Sequence, residues 1–91
     1  MWQRLWVAEL FISDRTAQKI TQRHGITPDE VRDAIVCTAG LTYVWQNDLA
    51  RGLRAIVQAN IRGRRVLLVL YPARRAEDDE WHLGGAYPVR E

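Results

Sequence analysis

The sequence predicts a small single-domain α+β protein, with paired helices followed by an antiparallel β-meander. Three observations carry this expectation. Its 91 residues suffice for one modest core. Helical periodicity with capping signals runs from Ser13 to about Cys37. Beyond Gly40 the period changes to alternation, broken by short turn signals. The expected order is β-α-α-β-β-β-β over residues 1–91, with both helices on one face of a twisted antiparallel sheet and the other face partly open.

Leu5 to Ile12 is an apolar run interrupted only by Glu9, and Ser13-Asp14 bounds it. It reads as one strand with both faces largely covered. Ser13 is a good helix N-cap, and Ala17, Ile20 and His24 recur at helical spacing up to Gly25, which suits a left-handed C-cap. On another face of that helix Arg15, Lys19 and Arg23 fall four apart as a basic stripe. Thr27-Pro28-Asp29-Glu30 is the clearest local signal. Thr27 caps, Pro28 fits the first helical turn, and Glu30 closes a capping box. The second helix then runs to about Cys37 and buries Val31, Ala34 and Ile35.

Leu41 to Gln46 is rich in β-branched and aromatic residues and reads as a strand. A turn begins at Asn47-Asp48 and ends at Arg51-Gly52. Leu53 to Ile61 alternates strictly, and Arg62-Gly63 makes a two-residue hairpin turn. Val66 to Tyr71 is apolar throughout and reads as the central strand. Pro72 to Glu80 is a polar loop. Trp81 to Tyr87 is the last strand, where Gly84-Gly85 suggests a bulge.

Strands that pair symmetrically about Arg62-Gly63 set Arg54 opposite Tyr71, Gln58 opposite Leu67 and Asn60 opposite Arg65. The apolar alternates then face the helices. The less apolar face carries Arg54, Gln58, Asn60, Arg65 and Tyr71. On these residues alone, a solvated sheet face is the plainer reading.

Composition narrows the function classes. The chain is 47% hydrophobic and 26% charged, with a net charge of +2. No apolar run approaches the ~20 residues that cross a bilayer, and the N-terminus lacks a secretory pattern. Cys37 has no partner for an internal disulfide, so a cytoplasmic protein is expected. Lys19 is the single lysine among 13 basic residues. Arginine's planar fork suits phosphate, although genomic base composition explains such a skew equally simply. There is no Gly-rich phosphate loop and no His/Cys/Asp/Glu set with metal-ligand spacing, so neither cofactor nor metal is expected. Cys37 reads as a small buried residue and His24 as a dipole-favoured helix end. Trp2, Trp6, Trp45 and Trp81 read as core or interface residues, and so many on a small domain make a homodimer an expectation.

Several stretches together resemble the BrnT family of toxins within the RelE/ParE superfamily. They are Phe11-Ile12-Ser13-Asp14, Lys19, Arg23-His24-Gly25-Ile26, Asp29-Glu30, Arg54, Gly63-Arg64-Arg65 and Val66 to Val69. The resemblance covers about Phe11 to Tyr87 and implies a RelE-like fold. It also implies a metal-independent endoribonuclease toxin of a type II toxin–antitoxin pair, neutralised by a cognate DNA-binding antitoxin. Such enzymes set the RNA 2′-hydroxyl against the adjacent phosphate while basic groups stabilise developing charge. Carried over, Arg54 and Arg65 match basic positions and would hold the phosphate, and Tyr71 stands where the family often has His. His82 and Tyr87 replace basic residues of the last strand, so proton transfer would fall to Tyr71, His82 or Tyr87. Arg15, Lys19, Arg23, His24, Arg62 and Arg64 would line the RNA. Ribosome dependence is left open. The alternatives are a non-catalytic module of the same fold binding a partner protein, or a nucleic-acid-binding regulator.

Overall fold

The computed structural model describes residues 3–74 and 78–89, so the reading of Trp2 lies outside the described residues. The chain forms β1 (Gln3–Leu5), β2 (Glu9–Phe11), α1 (Asp14–His24), α2 (Pro28–Ile35), β3 (Leu41–Asp48), β4 (Gly52–Ile61), β5 (Arg64–Pro72) and β6 (Glu80–Pro88). The α+β class holds. Both helix boundaries at the N-terminal side are set by the expected caps. The Ser13 side chain accepts from the Thr16 N–H, and Thr27 and Glu30 close a reciprocal capping box. Gly25 ends α1 at φ 67°, a left-handed conformation that glycine adopts without a Cβ penalty. α2 stops at Ile35, short of Cys37, because Val36 is already extended and bridges Val7 in parallel.

The N-terminal run corrects the single-strand expectation. It divides into β1, antiparallel to β3, and β2, parallel to β6, at opposite edges of a six-stranded sheet ordered β1-β3-β4-β5-β6-β2. The sheet is therefore mixed rather than antiparallel. Laid flat, five inter-strand gaps would separate β1 from β2 by ~24 Å. The link from Leu5 to Glu9 reaches at most ~13 Å. The sheet must curl to bring its edges together. Within the link, Val7 is fully buried and its carbonyl accepts from the Cys37 N–H at 2.7 Å.

One face of the curl holds the core. Ile20, Val31 and Ile35 from the helices pack with Ala55, Val57, Val66, Leu68, Leu70, Trp81 and Leu83 from the sheet. Each large aliphatic buried in this way stabilises the fold by ~1.5–3 kcal/mol relative to exposure. Both helices lie on that face, as expected. The β4–β5 register also follows the predicted symmetry, with Gln58 opposite Leu67 and Asn60 opposite Arg65. The turn itself has positive φ at both central residues, Arg62 at 53° and Gly63 at 74°. The bulge expected at Gly84-Gly85 is present as a register shift, because Val69 pairs with Gly85 while Leu70 pairs with Leu83.

Two further expectations are corrected. Cys37 is exposed, since α2 has ended and the residue sits in a left-handed turn at φ 52°. Of the described tryptophans only Trp81 joins the core, whereas Trp6 and Trp45 are both 42% exposed. Among the described residues no helix is long and apolar enough to cross a membrane.

Candidate functional site

Strict alternation leaves Arg54, Gln58, Asn60, Arg65, Tyr71, His82 and Tyr87 on the face of the sheet opposite the core. At one level a row crosses five strands. Gln46 pairs with Arg54, the β4–β5 register carried one step on sets Arg54 beside Tyr71, Tyr71 pairs with His82, and His82 pairs with Phe11. The row therefore unites β3, β4, β5, β6 and β2, although its members span Phe11 to His82 in sequence.

Arg54 is the best-anchored cation of this face. Its Nε donates to Gln46 Oε1 at 2.7 Å and its Nη2 donates to the same oxygen. Nη1 donates to Asp48 Oδ2 at 3.2 Å and to the Tyr71 hydroxyl at 3.4 Å. The Tyr71 hydrogen bond is the largest cause of a pKa raised above the usual arginine value, against a lowering by desolvation. Charge on Tyr71, Asp48 and Tyr87 adds to the rise. Asp48 is held below its ordinary pKa, first by the Ala50 N–H at 2.8 Å and also by Arg54. Arg51, in the β3–β4 turn, sits 5.8 Å from the Tyr71 ring centroid.

Tyr71 reaches Arg54 as its cross-strand neighbour, and the glycines of the bulge leave room for both tyrosine rings. A Cβ on Gly84 would meet Tyr71 Cε2 at 2.4 Å, and one on Gly85 would meet the Tyr87 hydroxyl at 2.8 Å. Each ring thus closes on one glycine, Tyr71 by its edge and Tyr87 by its hydroxyl end. Tyr87 pairs with Leu67, yet its hydroxyl folds back to the level of Gly85 and Val69, two residues from Tyr71. On its other side Tyr87 meets the end of α1. Its ring is 6.0 Å from that of His24, and a shallow depression there is lined by Lys19, Arg23, His24 and Tyr87. Tyr87 as a residue is 46% exposed.

The other candidates are placed elsewhere. Arg65 shares the face but stands six residues along β5 from Tyr71, about 20 Å in an extended strand. Arg54 and Arg65 therefore do not converge on one phosphate. Arg62 is held at the turn, where its Nε donates to Glu30, its Nη2 donates to Glu30 Oε1 at 2.7 Å, and Nη2 also donates to the Gly25 carbonyl. It clamps the hairpin to the helix–helix corner. Arg15 is exposed in the first turns of α1, and Arg64 is exposed beside the turn. Among the described residues neither forms an ion pair, nor do Lys19, Arg23 and Arg65. No group of three His, Cys, Asp or Glu side chains that could hold a metal ion gathers among the described residues.

Sequence reasoning did not single out Gln46, Asp48, Arg51 or Phe11. For the first two a signal existed, because a tight β3–β4 hairpin over the same turn residues already sets Gln46 opposite Arg54. Phe11 carried no such signal, since its neighbour β6 lies some seventy residues away in the chain.

In comparisons with known proteins, no family model, curated protein or solved structure matches this chain.

Proposed function

We propose that this protein is a metal-independent endoribonuclease of the RelE/BrnT kind, the toxin of a toxin–antitoxin pair. The carrying observation is the Arg54–Tyr71 hydrogen bond on an open sheet face that also bears Tyr87, next to Lys19 and Arg23 of α1, which form no ion pair among the described residues. From β2 onward the element order β-α-α-β-β-β-β supports a RelE-like topology, with β1 as an addition at the far edge.

In this reading Arg54 takes the scissile phosphate, held rigid by Gln46 so that little reorganisation is needed as negative charge grows. A base removes the proton of the ribose 2′-hydroxyl, whose oxygen attacks the neighbouring phosphorus. The bond to the 5′-oxygen breaks, a general acid protonates that oxygen, and the upstream product keeps a 2′,3′-cyclic phosphate. Tyr71, whose hydroxyl lies 3.4 Å from Arg54 Nη1, suits the base and the Tyr87 phenol on the same face the acid. Lys19, Arg23 and His24 steer the RNA backbone toward Tyr87. Arg65 and Arg64 contact the strand further along rather than at the cut.

One observation favours the second reading, a non-catalytic binding module. Asp48 already neutralises Arg54, and a phosphate has to displace that carboxylate. The two readings separate on induction of the chain alone in a bacterial host, beside an Arg54→Ala, Tyr71→Phe, Tyr87→Phe triple variant. The nuclease reading expects growth arrest with the parent and normal growth with an equally abundant, folded variant. It also expects purified parent to leave cyclic-phosphate ends in the presence of chelator. Normal growth and intact RNA with abundant soluble parent would transfer the assignment to the binding module.

A further inference from the structure

His82 and Phe11 end the cross-strand row, one and two strands beyond Tyr71. Their ring centroids are 5.3 Å apart at an interplanar angle of 37°. Both are exposed, Phe11 by 39%, although the strands bearing them also carry the buried Leu10 and Trp81. The pair borders a depression of about 580 Å³, whose wall continues through Glu9, Ser13, Val36 and Arg32. That volume comfortably accepts a planar heterocycle. Arg32 forms no ion pair among the described residues. Glu9 and Glu80 are register partners two residues before Phe11 and His82 and share their face. These like charges repel a phosphate backbone that would continue past the pair.

We infer that this depression binds one unpaired nucleobase of a single-stranded RNA, stacked on Phe11 and His82, as the terminal subsite of the track that passes Arg54 and Tyr71. The inference rests on the RNA-cleaving reading and deepens it by naming the substrate class. Stacking requires a base free of its duplex, because a paired base offers neither face to a flat sheet platform. The acidic pair Glu9–Glu80 fixes the direction. The backbone leaves the aromatic pair toward Arg54, Tyr87 and the α1 cations, where charge is favourable, and not over β2. Arg32 neutralises a phosphate on the outer side of the stacked nucleotide. The site therefore selects for an unpaired base at one fixed distance from the cut.

The test uses the intact protein and 2′-O-methyl oligonucleotides, which cannot undergo attack by a 2′-hydroxyl and so report binding alone. A single-stranded oligonucleotide, its duplex, and a set with one abasic position moved along the strand are titrated against the parent and against Phe11→Leu. Leucine keeps an apolar side chain on β2 but removes the ring, and His82→Ala is a second variant, with circular dichroism to establish that both fold. The single strand should bind more tightly than the duplex. One abasic position should weaken binding roughly tenfold, as should Phe11→Leu, and the two losses should not add. Equal binding of all abasic oligonucleotides by the parent, or full additivity with Phe11→Leu, would overturn the stacking site while leaving RNA binding intact. Failure of the parent to bind any oligonucleotide would overturn the RNA reading together with it.

Discussion

Each end of the β4–β5 hairpin carries an arginine bonded to a carboxylate, yet the two arginines do different work. At the turn, Arg62 grips Glu30 and the Gly25 carbonyl, partners 32 and 37 residues away on the helix–helix corner. Its contacts join distant elements, and Glu30 doubles as the capping-box residue of α2. At the other end, Arg54 grips Gln46, Asp48 and Tyr71, all on the same sheet face. Nothing there needs Arg54 to hold two layers together. The ion pair is chemically the same in both places, and what differs is which elements its partners belong to. A cation fixed by neighbours on an open face is preorganised for an anion, whereas one fixed across a corner is a clamp.

The widest separation between the two ends should appear on replacing each arginine. Arg54→Ala should lower RNA cleavage by ~10²–10³-fold, the cost typical of removing one preorganised charge-stabilising donor, with little change in thermal midpoint. Arg62→Ala should lower the thermal midpoint and leave cleavage near the parent's. Cleavage rates and calorimetry on the same preparations read both. Loss of cleavage in Arg62→Ala at a temperature where it is fully folded would erase the distinction.

A smaller effect sharpens the Arg54 end. Gly84→Ala would drive a Cβ into the Tyr71 ring at 2.4 Å, so the ring must leave its place over the bulge. Overpacking of this kind costs ~1–3 kcal/mol. If Tyr71 positions Arg54, cleavage should fall by more than stability loss explains, and a Gly84→Ala, Tyr71→Ala double variant should recover stability but not cleavage. Full recovery of both would mean that Tyr71 serves packing only.

How much of this was legible in the sequence follows from the range of each interaction. The caps at Ser13, Thr27 and Gly25, and the hairpin at Arg62-Gly63, are local, so residue identity within a few positions encodes them. The β4–β5 register is local in the same sense, because a two-residue turn fixes every pair beyond it. That made the shared face of Arg54, Arg65 and Tyr71 readable, though not the ~20 Å between Arg65 and Tyr71 as a functional separation. The division of Leu5–Ile12 was not readable. An apolar run looks the same whether it completes one strand or crosses between two sheet edges, and the choice depends on β6 seventy residues on. The site inherits that blindness, since Phe11 meets His82 only through β2 pairing with β6. The resemblance points to Tyr87, but the fold of its ring back over Gly85 is something no spacing rule specifies.

The smallest expected effect probes the clamp through pH. The Arg62 hydrogen bond, then the Thr27 N–H, lower the Glu30 pKa from 4.5 to about 2. A carboxyl whose folded pKa lies below its unfolded value adds stability that is complete above the unfolded pKa and lost as pH falls through the folded one. The contribution of Glu30 should therefore be full at pH 6 and fade between about 4.5 and 2. Glu30→Gln should be less stable than the parent at pH 6, and the gap should close as acid is added. Asp48 is also lowered and contributes its own acid loss, so the parent curve alone would not isolate the clamp. The difference between parent and Glu30→Gln does, because Asp48 is common to both and cancels. Asp48→Asn, compared in the same way, reports the other end of the hairpin. There the Ala50 N–H rather than an arginine is the main cause of the lowered pKa. The two difference curves should respond differently to salt, which screens the Arg62 charge but leaves the backbone hydrogen bond at Asp48 in place. A Glu30 gap that stays constant from pH 6 to pH 2 would mean that the Glu30 charge contributes nothing, whereas one that closes with acid but ignores salt would mean that the corner is held by the Thr27 cap alone and that Arg62 is free for another role.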